Sequence, residues 1–297
     1  MNFSCRLSFQ KVAFVIVLSL FATTTSAEII FSSDDTTLLT NGVPTATESN
    51  DGEGNVGGRT SVILGSPNST SLRHGLFRFD VSSLASQINS PTLQVVSASF
   101  LINEIDTFNF DQPTTTFSAF PVVSANSGWI EGTSTTTTSA FDGDGSVSYS
   151  YHTSPTFDAT TDSVNADGQL WASAGGGPTG VFPSPNGFTF GTDTGSSLGS
   201  GSITPLDNGE NDLLTIDLNA GTIDSLLVDW LANPTGNAGL AIEAAGTNAI
   251  SFESAEFGGT GFGRLDVTFG TVAIPEPTSV ALLSGVFTIA GLRRRRR

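Results

Sequence analysis

The chain has 297 residues, with 28 Asp and Glu against 11 Lys and Arg, for a formal charge of −17. That balance excludes nucleic acid as a partner, because neutralising phosphates needs a basic face. The single cysteine, Cys5, excludes an intrachain disulfide and leaves the body of the chain without a thiol nucleophile or thiolate ligand. At the start, Arg6 and Lys11 precede an apolar run from Val12 to Ala22 and the small residues Thr25-Ser26-Ala27. This pattern predicts a secretory signal over residues 1–27, cleaved after Ala27.

The body that follows is expected to be nearly all β. Short strands are predicted at Glu28–Phe31 and Thr36–Leu39, then at Thr60–Leu64 and His74–Val81. In the last of these, the two-residue period puts Phe77 and Phe79 on one face and Leu76, Arg78 and Asp80 on the other. Val95–Ile105 reads as a long central strand, and Thr115–Val123 as another. From Ser124 to Ser202 the chain is rich in Gly, Ser and Thr, which predicts short strands with long connections, since one structureless loop of that length does not suit a compact domain.

One helix interrupts the pattern. Ile223, Leu226, Leu227, Trp230 and Leu231 repeat at helical spacing, with Thr222 placed to cap the start and Asn233-Pro234 to stop it. Strands resume at Gly239–Glu243, Ala249–Glu253 and Arg264–Phe269. The expected fold is mainly β: a two-sheet antiparallel sandwich, jelly-roll-like, with one short amphipathic helix near 222–233 and hydrophobic helices at the two ends of the chain. About 245 residues suffice for one large core held by apolar burial alone.

The chain closes on Pro275-Glu276-Pro277, an apolar run of 13 residues from Val280 to Leu292, and Arg293, Arg294, Arg295, Arg296 and Arg297. The run is shorter than the roughly 20 residues a membrane-crossing helix needs, and the arginines resist translocation. This tail resembles the PEP-CTERM sorting signal of exported bacterial proteins. The resemblance implies passage through the secretion translocon, transient residence in the inner membrane, cleavage by an exosortase, and delivery to the cell surface or the medium. Without signal and tail, residues 28–274 carry 27 acids and only Arg59, Arg73, Arg78 and Arg264, a formal −23. Hydrated carboxylates suit a protein that works in salt outside the cell.

A second resemblance covers roughly residues 28–270. His74-Gly-Leu-Phe-Arg-Phe-Asp-Val-Ser-Ser-Leu84 looks like a segment of the DNRLRE, or disaggregatase-related, domains. Val95–Leu101, Trp129-Ile-Glu-Gly132, Leu214–Leu218, Val228–Pro234, Asn237–Leu240, Ile250–Glu256 and Arg264–Val267 follow in that family's order, and Val147–Pro155 stands where members often carry a tryptophan, here Tyr149. The DNRLRE motif itself is absent. The resemblance implies a β-sandwich of the kind appended to polysaccharide-active enzymes, some of which bind acidic polysaccharides. Three domains are thus expected: signal 1–27, sandwich 28–270 and sorting tail 271–297.

Chemistry is thinly marked. His74 and His152 are far apart in sequence, and neither belongs to a paired metal-ligand or triad motif. Calcium is the cofactor candidate. Asp142-Gly-Asp144, and Asp207, Glu210 and Asp212, set hard oxygen ligands on turns, as does Asn50-Asp-Gly-Glu53, although none has the EF-hand spacing. Asx-rich turns are more often plain turns. Trp129, Tyr149, Tyr151 and Trp171 are candidates for a sugar-stacking platform, with core filling as the competing role for Trp129 and Trp230. Arg78, between two inward phenylalanines, is expected to pair with a carboxylate. Three functions stay open: a non-enzymatic surface or matrix protein that binds polysaccharide, a polysaccharide lyase or hydrolase, and a purely structural matrix component.

Overall fold

A computed structural model describes residues 25–41, 59–68, 71–105, 113–132, 151–153, 157–158, 163–164, 168–172, 178–179, 187–207, 210–246 and 248–272. The segments Met1–Thr24 and Ala273–Arg297, which carry nearly all of the predicted signal and the sorting tail, lie outside the described residues.

The protein is mainly β, and among the described residues every strand pairing is antiparallel. The principal strands are β1 (Thr25–Asn41), β2 (Ser61–Asn68), β3 (Ser71–Phe79), β4 (Leu93–Asn103) and β5 (Thr115–Pro121). After the short pairs β6 (Tyr151–Thr153), β7 (Phe157–Asp158), β8 (Ser163–Val164), β9 (Gly168–Leu170) and β10 (Pro178–Thr179) come β11 (Gly199–Ile203) and β12 (Leu213–Leu218). β13 (Leu240–Ala245), β14 (Ala249–Glu253) and β15 (Arg264–Thr271) complete the set. Hydrogen-bonded neighbours run β11-β5-β13-β3-β1-β15-β4-β12, with β2 and β14 attached beside β3.

The sheet nearly closes on itself. Its two end strands, β11 and β12, lie against each other, and the Asn219 amide donates to the Leu198 carbonyl at 2.8 Å. Glycine makes this approach feasible: a Cβ at Gly199 or Gly201 would sit 1.9 Å from the carbonyl oxygen of Asp217 or Thr215.

The two short strands expected at 28–31 and 36–39 are one continuous strand that changes partners. β1 pairs with β15 over Thr25–Phe31 and with β3 over Ser32–Asn41, with a bulge at Ser32/Asp34. A bulge increases local twist and re-aims side chains, which lets one strand serve both neighbours.

Alternation along β3 follows the predicted faces. Phe77 and Phe79 enter the main core with Phe100, Phe117, Phe252, Phe269 and Leu265, all between 0% and 1% exposed. The rings of Phe77 and Phe100 lie 4.9 Å apart, and those of Phe117 and Phe252 are edge-on at 5.5 Å. Burying each such side chain contributes roughly 1.5–3 kcal/mol. The opposite face carries Leu76 and a second cluster: Leu38, Val122, Trp129, Trp171, Phe188, Ala238 and Ala241.

The helix α2 (Ala220–Ala232) lies against β4 and the short α1 (Ala85–Ile88), and Ile223, Leu227 and Trp230 are its buried stripe. Its cap is Asn219 rather than Thr222. The Asn219 side chain accepts from the Thr222 amide at 3.0 Å, because the helix begins a turn earlier than its apolar stripe. Asn233 closes it, with Pro234 starting the next turn.

Candidate functional site

The densest chemistry among the described residues forms where β1 parts from β15. Beyond Phe31 that edge of the strand has lost its ladder partner, and its polar backbone groups need others. The Asp35 amide donates to Glu131 Oε1 at 3.2 Å. Thr37 Oγ1 accepts from the Ile63 amide at 2.9 Å. Asp35 is fully buried, and its Oδ2 accepts from Ser32 Oγ and from the Ala255 amide, each at 3.1 Å. Its Oδ1 is buried with no hydrogen-bond partner.

Glu131 comes from the loop after Trp129, half-buried, and Glu256 from the single turn Ala255–Phe257 after β14, exposed. One carboxylate oxygen from each of Asp35, Glu131 and Glu256 lies within 4.8 Å of the others. For Asp35 and Glu131, two full charges at such a separation repel by roughly 3 kcal/mol at an effective dielectric of about 20. Burial, reinforced by Glu256 and Asp34, pushes the Asp35 carboxyl up to about 7. Burial first, then Glu256 and Asp35, pushes Glu131 well above the usual carboxylate range.

Arg78 acts on Glu131 electrostatically and is shared with other partners. It pairs with Asp34 at 3.5 Å, as its position between two inward phenylalanines suggested. The same guanidinium donates to the Ser127 and Trp129 carbonyls at 2.9 and 2.6 Å, and lies 4.2 Å from the centre of the Trp129 ring. Trp129 Nε1 in turn donates to the Ala238 carbonyl at 2.9 Å. The stacked guanidinium and this hydrogen bond therefore fix the stretch that ends in Glu131.

The residues singled out in the sequence fall elsewhere. Trp129 and Trp171 are 1% and 0% exposed, packed in the second cluster, so neither offers a face to a sugar. Tyr149 lies outside the described residues, as do the side chains of Tyr151 and His152 in β6. His74 is buried beside Phe188 and Phe190, and burial lowers its pKa to about 4. Asp142 and Asp144, with Asn50–Glu53, are outside the described residues. Asp207 and Glu210 are exposed, and Asp212 Oδ2 accepts from the Leu206 amide at 3.0 Å, closing its own turn. Among the described residues these three do not join the convergent group. Ala27 is exposed on β1, opposite Thr268, whereas Pro275, Glu276, Pro277 and Arg293–Arg297 are outside the described residues.

A groove of about 540 Å³ runs between the end of β5 and the C-terminal half of α2, lined by Pro121, Val122, Leu226, Trp230 and Asn233, with Asp229 the ionisable group in its lining. In comparisons with known proteins, no protein-family model and no curated protein matches the chain. Among the described residues, no helix is long and apolar enough to cross a membrane.

Sequence reasoning missed Asp35, Glu131 and Glu256 as site residues, because no spacing rule joins residues so far apart. One local signal existed: Asp34-Asp35 sits inside a strand where a run of carboxylates is unexpected.

Proposed function

We propose that the chain is an exported, non-enzymatic protein of the cell surface or extracellular matrix, with a carbohydrate-binding-like β-sandwich of the DNRLRE kind. In this reading the signal ends at Ala27, and the tail after residue 270 is a PEP-CTERM address removed by an exosortase. The contact between Arg78 and Trp129 carries the reading. These residues belong to two separate segments of the DNRLRE resemblance, and they stack at 4.2 Å as one unit. Five of the remaining segments support it by falling on β4, β12, the end of α2, β14 and β15.

The partner change of β1 divides the strands into two sets around the main core, which supports the jelly-roll-like sandwich. Thr25 pairs with Gly270, so the predicted signal and the predicted tail leave the domain side by side. That arrangement keeps both ends of the folded body at one membrane during export. Cleavage after Ala27 would trim three paired residues and leave Glu28 opposite Val267 as the first pair.

Full burial of Asp35 argues against its carboxylate cluster as the acid–base pair of a hydrolase, because a glycosidic oxygen must reach both groups. A purely structural role is the second reading, favoured by the burial of Trp129 and Trp171. Fractionating exporting cells with and without an exosortase tests the sorting. A surface form that lacks the arginine tail, and an uncut form held in the membrane when the exosortase is missing, are expected; uncut protein in the cytoplasm overturns it. A glycan array on the exported form, with and without calcium, then separates the readings. Binding supports the carbohydrate reading, and silence in both conditions supports the structural one.

A further inference from the structure

We infer that Asp35, Glu131 and Glu256 form a binding site for one calcium ion. Three features of the geometry carry this. The ligand oxygens come within 4.8 Å of one another from three separate segments of the chain. Calcium holds its oxygens about 2.3–2.6 Å away, so such a group fits around a single ion. Next, Asp35 offers a specific free atom: Ser32 and Ala255 both bind Oδ2, and Oδ1 is buried without any partner. A buried polar atom in that condition is costly unless something meets it. Finally, burial is graded from Asp35 through Glu131 to the exposed Glu256, so the group is closed at its base and open to solvent at its mouth.

The donor set selects the ion. With three carboxylates and no histidine or cysteine in the group, zinc and the softer metals are disfavoured. Magnesium dehydrates reluctantly and is seldom held by such an all-protein group, whereas calcium accepts irregular oxygen cages completed by water. Arg78 attracts Glu131, but it is a single cation shared with Asp34, the Ser127 and Trp129 carbonyls and the Trp129 ring, and so leaves the three acids undercompensated. A bound ion would tie β1 to the Trp129 loop and to the turn after β14, segments already joined by bonds that span 96 and 220 residues of sequence.

The test is calorimetric titration of calcium chloride into the full-length protein, purified in mild detergent and stripped with a chelator. One site per chain is expected, with magnesium binding far more weakly. Glu256→Gln changes an exposed side chain, leaves the fold intact by circular dichroism, and should weaken calcium binding by roughly tenfold or more through loss of ligand charge. The double variant Asp207→Asn, Glu210→Gln should bind as the parent does. No calcium heat in the parent overturns the site. So does binding that survives Glu256→Gln unchanged, or that disappears with the double variant.

Discussion

The two faces of β3 lead into two different interiors. On one side Phe77 and Phe79 enter a core of closely packed apolar side chains. On the other side Leu76 and Arg78 face a layer where Trp129 and Trp171 share space with an ion pair, a buried histidine and, beyond them, three converging carboxylates. The first interior is held by area removed from water, to which charge state contributes nothing. The second depends on partners: each charged group is tolerable only while something opposes it. Stability of the inner core should therefore be indifferent to pH and calcium, and stability of the outer layer should not.

The largest effect should come from the indifferent side. Phe100→Ala empties a fully buried ring position and is expected to cost about 3–5 kcal/mol, measured by urea unfolding, with the same loss at pH 5 and pH 8 and with or without calcium. A loss that varies with calcium would show that the two interiors are not separate.

Next in size is the acid response of the outer layer. The His74 imidazole titrates near 4 when folded against 6.5 when free, so the unfolded chain binds its proton first. The stability His74 permits is present above pH 6.5 and is lost as pH falls from there toward 4, by up to about 3 kcal/mol. The difference between the parent and His74→Phe across that window isolates it, and a constant difference would contradict the buried, neutral histidine.

Arg78→Lys keeps the charge but loses the planar fork that serves Asp34, Ser127 and Trp129 together. A cost of about 1–3 kcal/mol is expected, with a shift in tryptophan emission as the Trp129 face is uncovered. Phe100→Ala should leave that shift absent.

The carboxylates give a slope of opposite sign to that of His74. Asp35 keeps its proton to about pH 7 when folded, and Glu131 is raised further, whereas unfolded they titrate near 3.8 and 4.5. The folded state then holds more protons than the unfolded one, so metal-free stability falls as pH rises above about 4.5 through 7. Asp34, Glu256 and Arg78 face the pair and set how steep the fall is. For each proton the slope is at most about 1.4 kcal/mol per pH unit, discounted for the partial exposure of Glu131. Saturating calcium should flatten it. Glu131→Gln should reduce it in the metal-free protein, and an unchanged slope would remove Glu131 from the account.

Much of the inner core was legible because it obeys local periodicity. The alternation at Phe77 and Phe79, the helix stripe at Ile223, Leu227 and Trp230, and the strand at Ala249–Glu253 follow from two-residue and 3.6-residue repeats. The strand β11 was hidden because its sequence, Gly-Ser-Gly-Ser-Ile, carries almost no apolar signal; its glycines are there for close approach to β12. The outer layer was largely illegible. Arg78 announced a carboxylate partner, but Asp35, Glu131 and Glu256 are joined only by the divergence of β1 from β15, a property of the sheet and not of any spacing. Asx-rich turns such as 207–212 carry the local signature of cation ligands, yet Asp212 serves its own backbone.

A calcium ion should complete the charged outer layer. Crystals of the exported protein grown with calcium, with diffraction measured at long wavelength, test it most directly. The account predicts an anomalous peak within about 2.6 Å of Asp35 Oδ1 and of oxygens from Glu131 and Glu256. An ordered cluster without such a peak, or a peak only at the 207–212 turn, would contradict it.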